Sequence, residues 1–349
     1  MPAPDQQFHQ VQHVTVLPEH SGQRIDNFLM SLFKTVPRGL VYRLLRTGQV
    51  RVNKGRIKPA YKLSVGDDIR IPPVTVTTEV GVHVPAAVIK QVEASVIAEN
   101  SHWIVLNKPA GLAVHGGTGV RFGVIDAIHK AFDNTSISLV HRLDRETSGV
   151  LVLAKNRPSA VHFQDSLRAG KVGKQYSALL TGEFENTVAV DAPLLKGQPE
   201  TGDRMVTVDH LAGKPARSLI TSIEAGPVCS LVDVQIDTGR THQIRVHAAH
   251  TGHPVLGDPR YGDRTVNRLV NNLSDRSLSK IERRRMFLHA REIVFPGMPD
   301  QPDPSVAPDD QSVSADDHKK KLDCSAKTLI FAAPTDPSWQ RVRHELNAK

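Results

Sequence analysis

A loop of nine residues, His141-Arg142-Leu143-Asp144-Arg145-Glu146-Thr147-Ser148-Gly149, runs directly into the uninterrupted apolar stretch Val150-Leu151-Val152-Leu153-Ala154. Successive apolar residues without polar alternation read as a strand buried on both faces, so the chain must build a sheet around it with cover on either side. Arg142, Asp144, Arg145 and Glu146 then abut the most hydrophobic strand of the sequence. A carboxylate at the mouth of such a strand is either paired or functional, because desolvating it alone is costly. Residue types alone leave both readings of Asp144 open: a structural ion-pair loop, or a reactive group.

The surrounding sequence predicts the sheet. Ser95–Ala98 and Trp103–Leu106 form a hairpin pattern, closed by Lys108-Pro109-Ala110-Gly111. Tyr176, Ala178 and Leu180 alternate with Gln175, Ser177 and Leu179. Val232, Val234 and Ile236 alternate with Asp233, Gln235 and Asp237. Both patterns are strand periodicities. Pro158 near the start, Ala160, Phe163 and Leu167 at helical spacing and Gly170 at the end define a helix. The fold class is α+β: a large mixed, mainly antiparallel β-sheet domain with flanking helices, preceded by a small domain of two helices and short strands.

That small domain spans 21–73, after a flexible segment 1–20 and before a linker 74–95; the large domain is 96–349. Ile25, Phe28, Leu29 and Leu32 make one helical face, and Leu40, Val41, Leu44 and Leu45 a second, ended by Gly48. Asn53-Lys54-Gly55 is a tight turn between short strands, and Val65-Gly66-Asp67-Asp68 another before Ile69-Arg70-Ile71. Arg38, Arg43, Arg46, Arg51, Lys54, Arg56 and Lys58 crowd onto this module. Within the large domain, 299–321 is rich in Asp, Pro, Ser and Gln and reads as a disordered insertion, after which Leu329–Ala333 resumes strand sequence.

Composition narrows the function classes. The net charge of +8 over 349 residues favours a polyanionic partner. No apolar run approaches a membrane span, and residues 1–6 lack a secretory layout, which places the protein in the cytoplasm away from membranes. Cys229 and Cys324, far apart, read as free thiols. His242, His247, His250 and His253 invite a metal reading, but no Asp or Glu lies among them and no metal is expected. Nothing calls for more than a monomer.

Two resemblances sharpen this. Residues 22–73, through Gly22-Gln23-Arg24-Ile25-Asp26 and Gly48-Gln49-Val50-Arg51-Val52-Asn53-Lys54, resemble the S-four-type RNA-binding domain. Its two helices and hairpin grip RNA backbone, consistent with Lys and Arg meeting phosphates without reading sequence. The string His-Arg-Leu-Asp-x-x-Thr-Ser-Gly resembles the central motif of the RluA-type pseudouridine synthases. Asn107-Lys108-Pro109-Ala110-Gly111, Lys174-Gln175-Tyr176 and Gly239-Arg240-Thr241-His242-Gln243-Ile244-Arg245-Val246-His247 match further motifs in the right order, closest to the RluC branch. The acidic insertion departs from that branch.

The resemblance implies isomerisation of uridine to pseudouridine in 23S ribosomal RNA, acting on the RNA or on large-subunit assembly intermediates, without a cofactor. It makes Asp144 the essential carboxylate, Arg245 the arginine that keeps it ionised and oriented, and Tyr176 the tyrosine that packs on the base and helps remove the proton from carbon 5. Whether Asp144 attacks sugar or base, or takes a ribose proton, stays open. Arg142 is implied to fill the space of the flipped nucleotide, with His141 beside it on the RNA. A binding-only protein and an N-glycosylase releasing free uracil are the competing readings.

Overall fold

The structure is a computed structural model describing residues 10–33, 36, 38–74, 83–117, 120–197, 205–273, 278–298 and 328–348. The insertion expected at 299–321, and Cys324, lie outside them. The chain divides into two compact units, 1–83 and 84–349.

In the first unit, β1 (Gln12–Thr15), α1 (Ile25–Leu32), α2 (Arg38–Arg46), β2 (Arg51–Val52), β3 (Gly55–Arg56) and β4 (Asp68–Ile71) follow in order. The strands form a sheet in the order β1-β4-β2-β3. The apolar faces read from sequence meet here: Ile25, Phe28 and Leu29 of α1 and Val41, Leu44 and Leu45 of α2 pack on Val52, Ile69 and Ile71. Asn53 and Lys54 both take positive φ in the hairpin turn, as a two-residue connection between right-twisted strands requires. Within the segment 1–20, expected to be flexible, residues 1–9 lie outside the described residues, and Gln12–Thr15 form β1, paired antiparallel with β4 from Gln12↔Ile71 to Thr15↔Asp68. Val14 and Val16 pack on the unit's core, a contact invisible as a local pattern.

The second unit opens with α3 (Ala86–Glu93), β5 (Val96–Glu99), β6 (Trp103–Lys108), α4 (Val124–Ala131), β7 (Ser138–Leu139), β8 (Ser148–Ala154) and α5 (Arg157–Arg168). Helix α3 lies within the stretch 74–95 expected to be a linker. It buries Val92, partly covers Val88 and Ile89 and packs on α4. Then come β9 (Gly173–Thr181), β10 (Thr187–Asp191), β11 (Leu194–Lys196), β12 (Val206–Val208), β13 (Arg217–Glu224), β14 (Cys229–Ile236) and α6 (Gln243–His250). The chain ends with α7 (Arg264–Asn271), α8 (Lys280–Arg283), β15 (Leu288–Phe295), β16 (Leu329–Ala332) and α9 (Ser338–Asn347).

The main sheet runs β10-β13-β14-β9-β15-β8-β6-β5, with β16 on β15 and β7 on β8. Its pairings are antiparallel except β8 with β15, so the sheet is mixed and mainly antiparallel. Every residue of β8 is buried, as the apolar run predicts. One core layer gathers Leu106, Leu151 and Leu153 under α3 and α4; the other gathers Val105, Val150 and Val152 with Phe163 of α5. Gly149 has φ +110, and a Cβ there would stand 2.2 Å from the Ala290 carbonyl oxygen on β15, so the loop can enter this strand only through glycine. Cys229 is a buried free thiol.

Candidate active site

The loop between β7 and β8 is pinned at alternate residues, and the pinning decides which side chains reach solvent. His141 Nε2 accepts a hydrogen bond from the Val152 N–H at 3.1 Å. Burial, with Lys174 nearby, pushes this imidazole down to about 4. The ring is therefore neutral near pH 7 and tied to β8 through Nε2. Leu143 drops into the core under α4. Arg145 donates Nε–H to the Gly111 carbonyl at 2.9 Å and lies 3.5 Å from Glu146. Beneath them Lys108, fully buried, donates to the carbonyls of Pro109, Leu112 and Arg145 at 2.8, 2.7 and 3.1 Å. Burial holds its pKa down at about 7 against the opposing pull of Glu146 and Asp144. What remains is Arg142, exposed and without an ion pair among the described residues, and Asp144, whose side chain is 28% exposed.

Both line an open pocket together with Tyr176 from β9, Ile236 at the end of β14, and His242 and Arg245 at the start of α6. Arg245 donates from Nη1 to Asp144 Oδ2 at 3.1 Å. Its other edge donates in a fork to Asp258, Nε to Oδ2 at 2.7 Å and Nη2 to Oδ1 at 2.8 Å, with the Asp258 side chain wholly buried. Asp258 also accepts from the Arg260 and Tyr261 backbone N–H groups at 2.8 and 3.2 Å. Burial works against both charges. For Arg245 the hydrogen bonds and charges of Asp258 and then Asp144 outweigh it, and its pKa rises. For Asp258 the bonds from Arg245 and the two amides outweigh it, and its pKa falls. The guanidinium is thus fixed from behind by one carboxylate and offers its remaining edge to the other, a geometry that Lys could not supply. Tyr261 covers it, with the Arg245 guanidinium carbon 5.1 Å from the ring centroid.

Tyr176 sits among the core residues of the sheet, its burial and the charge of Asp144 raising the phenol's pKa. The hydroxyl is protonated at neutral pH. Helix α6 is seated by Gln243, whose Nε2 donates to the Arg217 carbonyl and Ser218 Oγ at 2.9 and 3.1 Å. His247 is held between Ser218 Oγ and the Ala192 carbonyl, both at 2.9 Å, and His253 at 3.0 Å from the Thr181 carbonyl, so these two of the four clustered histidines are tied into the fold. Sequence reasoning missed Asp258, Tyr261 and the engagement of Lys108. The stretch Gly257-Asp258-Pro259-Arg260-Tyr261 carried the only available signal, an acidic residue in a turn close after α6.

On the first unit, Arg43, Arg46, Arg56 and Lys58 line one groove with the half-exposed Tyr42, whose hydroxyl donates to Asp26 at 3.1 Å. Arg51 is exposed and donates Nε–H to the Gly48 carbonyl at 3.2 Å, and Lys54 is exposed on the hairpin turn. Arg38 opens α2.

Sequence comparison accounts for both units. The RNA pseudouridylate synthase family model matches residues 102–250 and the S4 domain model residues 23–69. A Pasteurella multocida (strain Pm70) protein named ribosomal large subunit pseudouridine synthase C is 39% identical over 338 residues, covering 95% of this chain and 93% of its own. The Escherichia coli (strain K12) protein of the same name is 43% identical over 289 residues, 82% of this chain and 88% of its own. The chain belongs to the RNA pseudouridylate synthase family. The solved structure of human RNA pseudouridylate synthase domain containing 4 shares the fold, with a TM-score of 0.52 at 24% identity over 74% of this chain and 95% of that one.

Proposed function

We propose that this protein isomerises uridine to pseudouridine in 23S ribosomal RNA, free or in large-subunit assembly intermediates, as a cytoplasmic monomer. The observation that carries the reading is Asp144 at the pocket, its Oδ2 held by an arginine that a buried second carboxylate fixes in place. The names of relatives about 40% identical over most of both chains support the ribosomal substrate. Among the described residues no helix is long and apolar enough to cross a membrane.

In this reaction the bond from N1 of the base to C1′ of ribose breaks, a bond from C5 to C1′ forms, the proton on C5 leaves and N1 gains one. Atoms and electrons balance without an oxidant, a reductant or added water. Asp144 starts the exchange by engaging the nucleotide, and Arg245 holds it in line. Tyr176 begins as a protonated phenol, so its first contribution is a flat face for the base. Its part in removing the C5 proton requires that proton's acidity to rise after the new bond forms. Arg142, exposed at the rim, has the planar cation needed to occupy the stack that the uridine leaves. The exposed arginines and lysines of the first unit hold RNA backbone.

Undermodified ribosomal RNA tritiated at uridine C5 tests this. Tritium release with the base still attached to the chain is expected. Free uracil would mark a glycosylase, and no release from naked RNA or ribosomal particles would overturn the assignment. Asp144→Asn is expected to keep fold and RNA affinity and to lose about 1,000-fold or more in turnover.

A further inference from the structure

His242 lies in the pocket with no role in the scheme above. It precedes α6 with φ 54 and ψ 20, a left-handed conformation that residues with a Cβ rarely hold and that tends to be retained where a side chain must be aimed. The ring is nearly covered, with the side chain 14% exposed and Nε2 3.7 Å from Asp144 Oδ2. On its other edge Nδ1 stands 2.9 Å from the Tyr261 hydroxyl oxygen. That oxygen already accepts the Val206 N–H at 3.0 Å, so the phenolic proton is available for Nδ1, and a neutral imidazole accepting there carries its own proton on Nε2. The same tyrosine covers Arg245. Both groups that face Oδ2 are therefore braced by Tyr261, while Oδ1 accepts no hydrogen bond among the described residues.

We propose that His242 is a positioning residue for Asp144: a neutral imidazole, its tautomer set by Tyr261, turns Nε2–H towards Oδ2 and leaves Oδ1 as the oxygen that meets the uridine. The proposal rests on the reading of Asp144 as the reacting carboxylate. At 3.7 Å the contact is longer than a hydrogen bond, and such contacts tighten when substrate fills the site. The ionisable groups around the ring are Asp144 from the loop before β8, Arg245 on α6, and Asp258, Arg260 and Tyr261 from the turn after it. Burial works against charging the ring, Arg245 and Arg260 add to that, and the two carboxylates oppose it, with a lowered pKa as the result. A neutral donor fixes the carboxylate's direction without setting a second full positive charge against it.

Two measurements decide the matter. Turnover of C5-tritiated ribosomal RNA by His242→Ala, His242→Gln and Tyr261→Phe is compared with the unsubstituted protein, together with thermal unfolding. His242→Ala is expected to lower kcat about 30- to 300-fold with KM changed less than about threefold. Gln, whose amide nitrogen can reach the place of Nε2, should recover about tenfold of that loss, and Tyr261→Phe should lose about three- to tenfold. Independently of catalysis, nitrogen-15 spectra of the histidines, with His242→Ala assigning the signal, should show the neutral Nε2–H tautomer near pH 7 and a mixture in Tyr261→Phe. An Nδ1–H tautomer, a loss confined to KM, an unchanged kcat in His242→Ala, or a stably folded His242→Gln as slow as the alanine variant would each overturn the proposal. If the unsubstituted protein releases no tritium, the reading of the reaction fails, and the tautomer still decides the placement of His242.

Discussion

The arginine at the centre of the pocket carries two carboxylates on separate edges, and they are not equivalent. Asp144 is partly open to solvent, whereas Asp258 is wholly buried and has Arg245 as its counter-ion. Removing the buried partner of a charge pair is expensive, because the remaining charge stays desolvated. Asp258→Asn is therefore expected to lower stability by about 3–5 kcal/mol and, by freeing the guanidinium, turnover by about tenfold or more. Denaturant midpoints and tritium release measure the two effects, and a variant as stable as its parent would contradict this account of Arg245. Asp144, Tyr176 and Arg245, which line one pocket, each sit in a sequence motif with several specific neighbours. Asp258 could not be named from sequence, since its importance lies in burial and in a fork to a residue 13 positions earlier, and no periodicity encodes either. The His141 ring contact with the β8 backbone has no local signal either, because Val152 lies 11 residues further on.

Elements were readable where one face or both faces are uniformly apolar. Strand β8 is buried throughout, and Val232, Val234 and Ile236 of β14 are buried in alternation, as their patterns predict. Strand β1 and helix α3 escaped because their order comes from partners distant in sequence, β4 for one and α4 for the other. The parallel pairing of β8 with β15 likewise has no local signal, yet it forces glycine at 149. Gly149→Ala is expected to cost about 2–4 kcal/mol, since the new Cβ meets strand backbone as well as adopting an unfavourable φ. Gly111→Ala is the control. Its φ is +85 but nothing lies within 4 Å of the added carbon, so only about 1–2 kcal/mol of left-handed strain should appear. Chemical denaturation of both variants would show whether close packing or φ dominates. Equal losses would remove the role assigned to the β8–β15 approach.

Over the molecule as a whole, buried imidazoles and exposed cations set opposite responses to conditions. His141 and His289 are both pushed down to about 4 by burial, His289 lying between Ser148 Oγ and the Ala333 carbonyl at 2.9 and 3.0 Å. Unfolded, each would titrate near 6.5, so between these values the unfolded chain binds more protons than the native one. Stability contributed by the neutral rings is complete above about pH 6.5 and is lost as pH falls towards 4, by up to about 3 kcal/mol for each. Melting temperature against pH should fall steeply in that window and less steeply in His289→Gln; a flat profile would contradict the assignment. The first unit responds instead to salt. Arg43, Arg46 and Lys58 line one groove, and each phosphate they neutralise releases counter-ions from the RNA. Replacing all three by alanine is expected to weaken RNA binding and to make the slope of log affinity against log salt shallower by about 2–3, roughly 0.7–0.9 for each phosphate no longer neutralised. Because backbone contacts position without reading bases, the same uridines should still be modified, more slowly at limiting RNA. Filter binding across a salt series and mapping of the modified sites check both halves. An unchanged slope would take the RNA-binding role away from this groove, and a changed set of modified uridines would mean that it selects bases as well as holding the backbone.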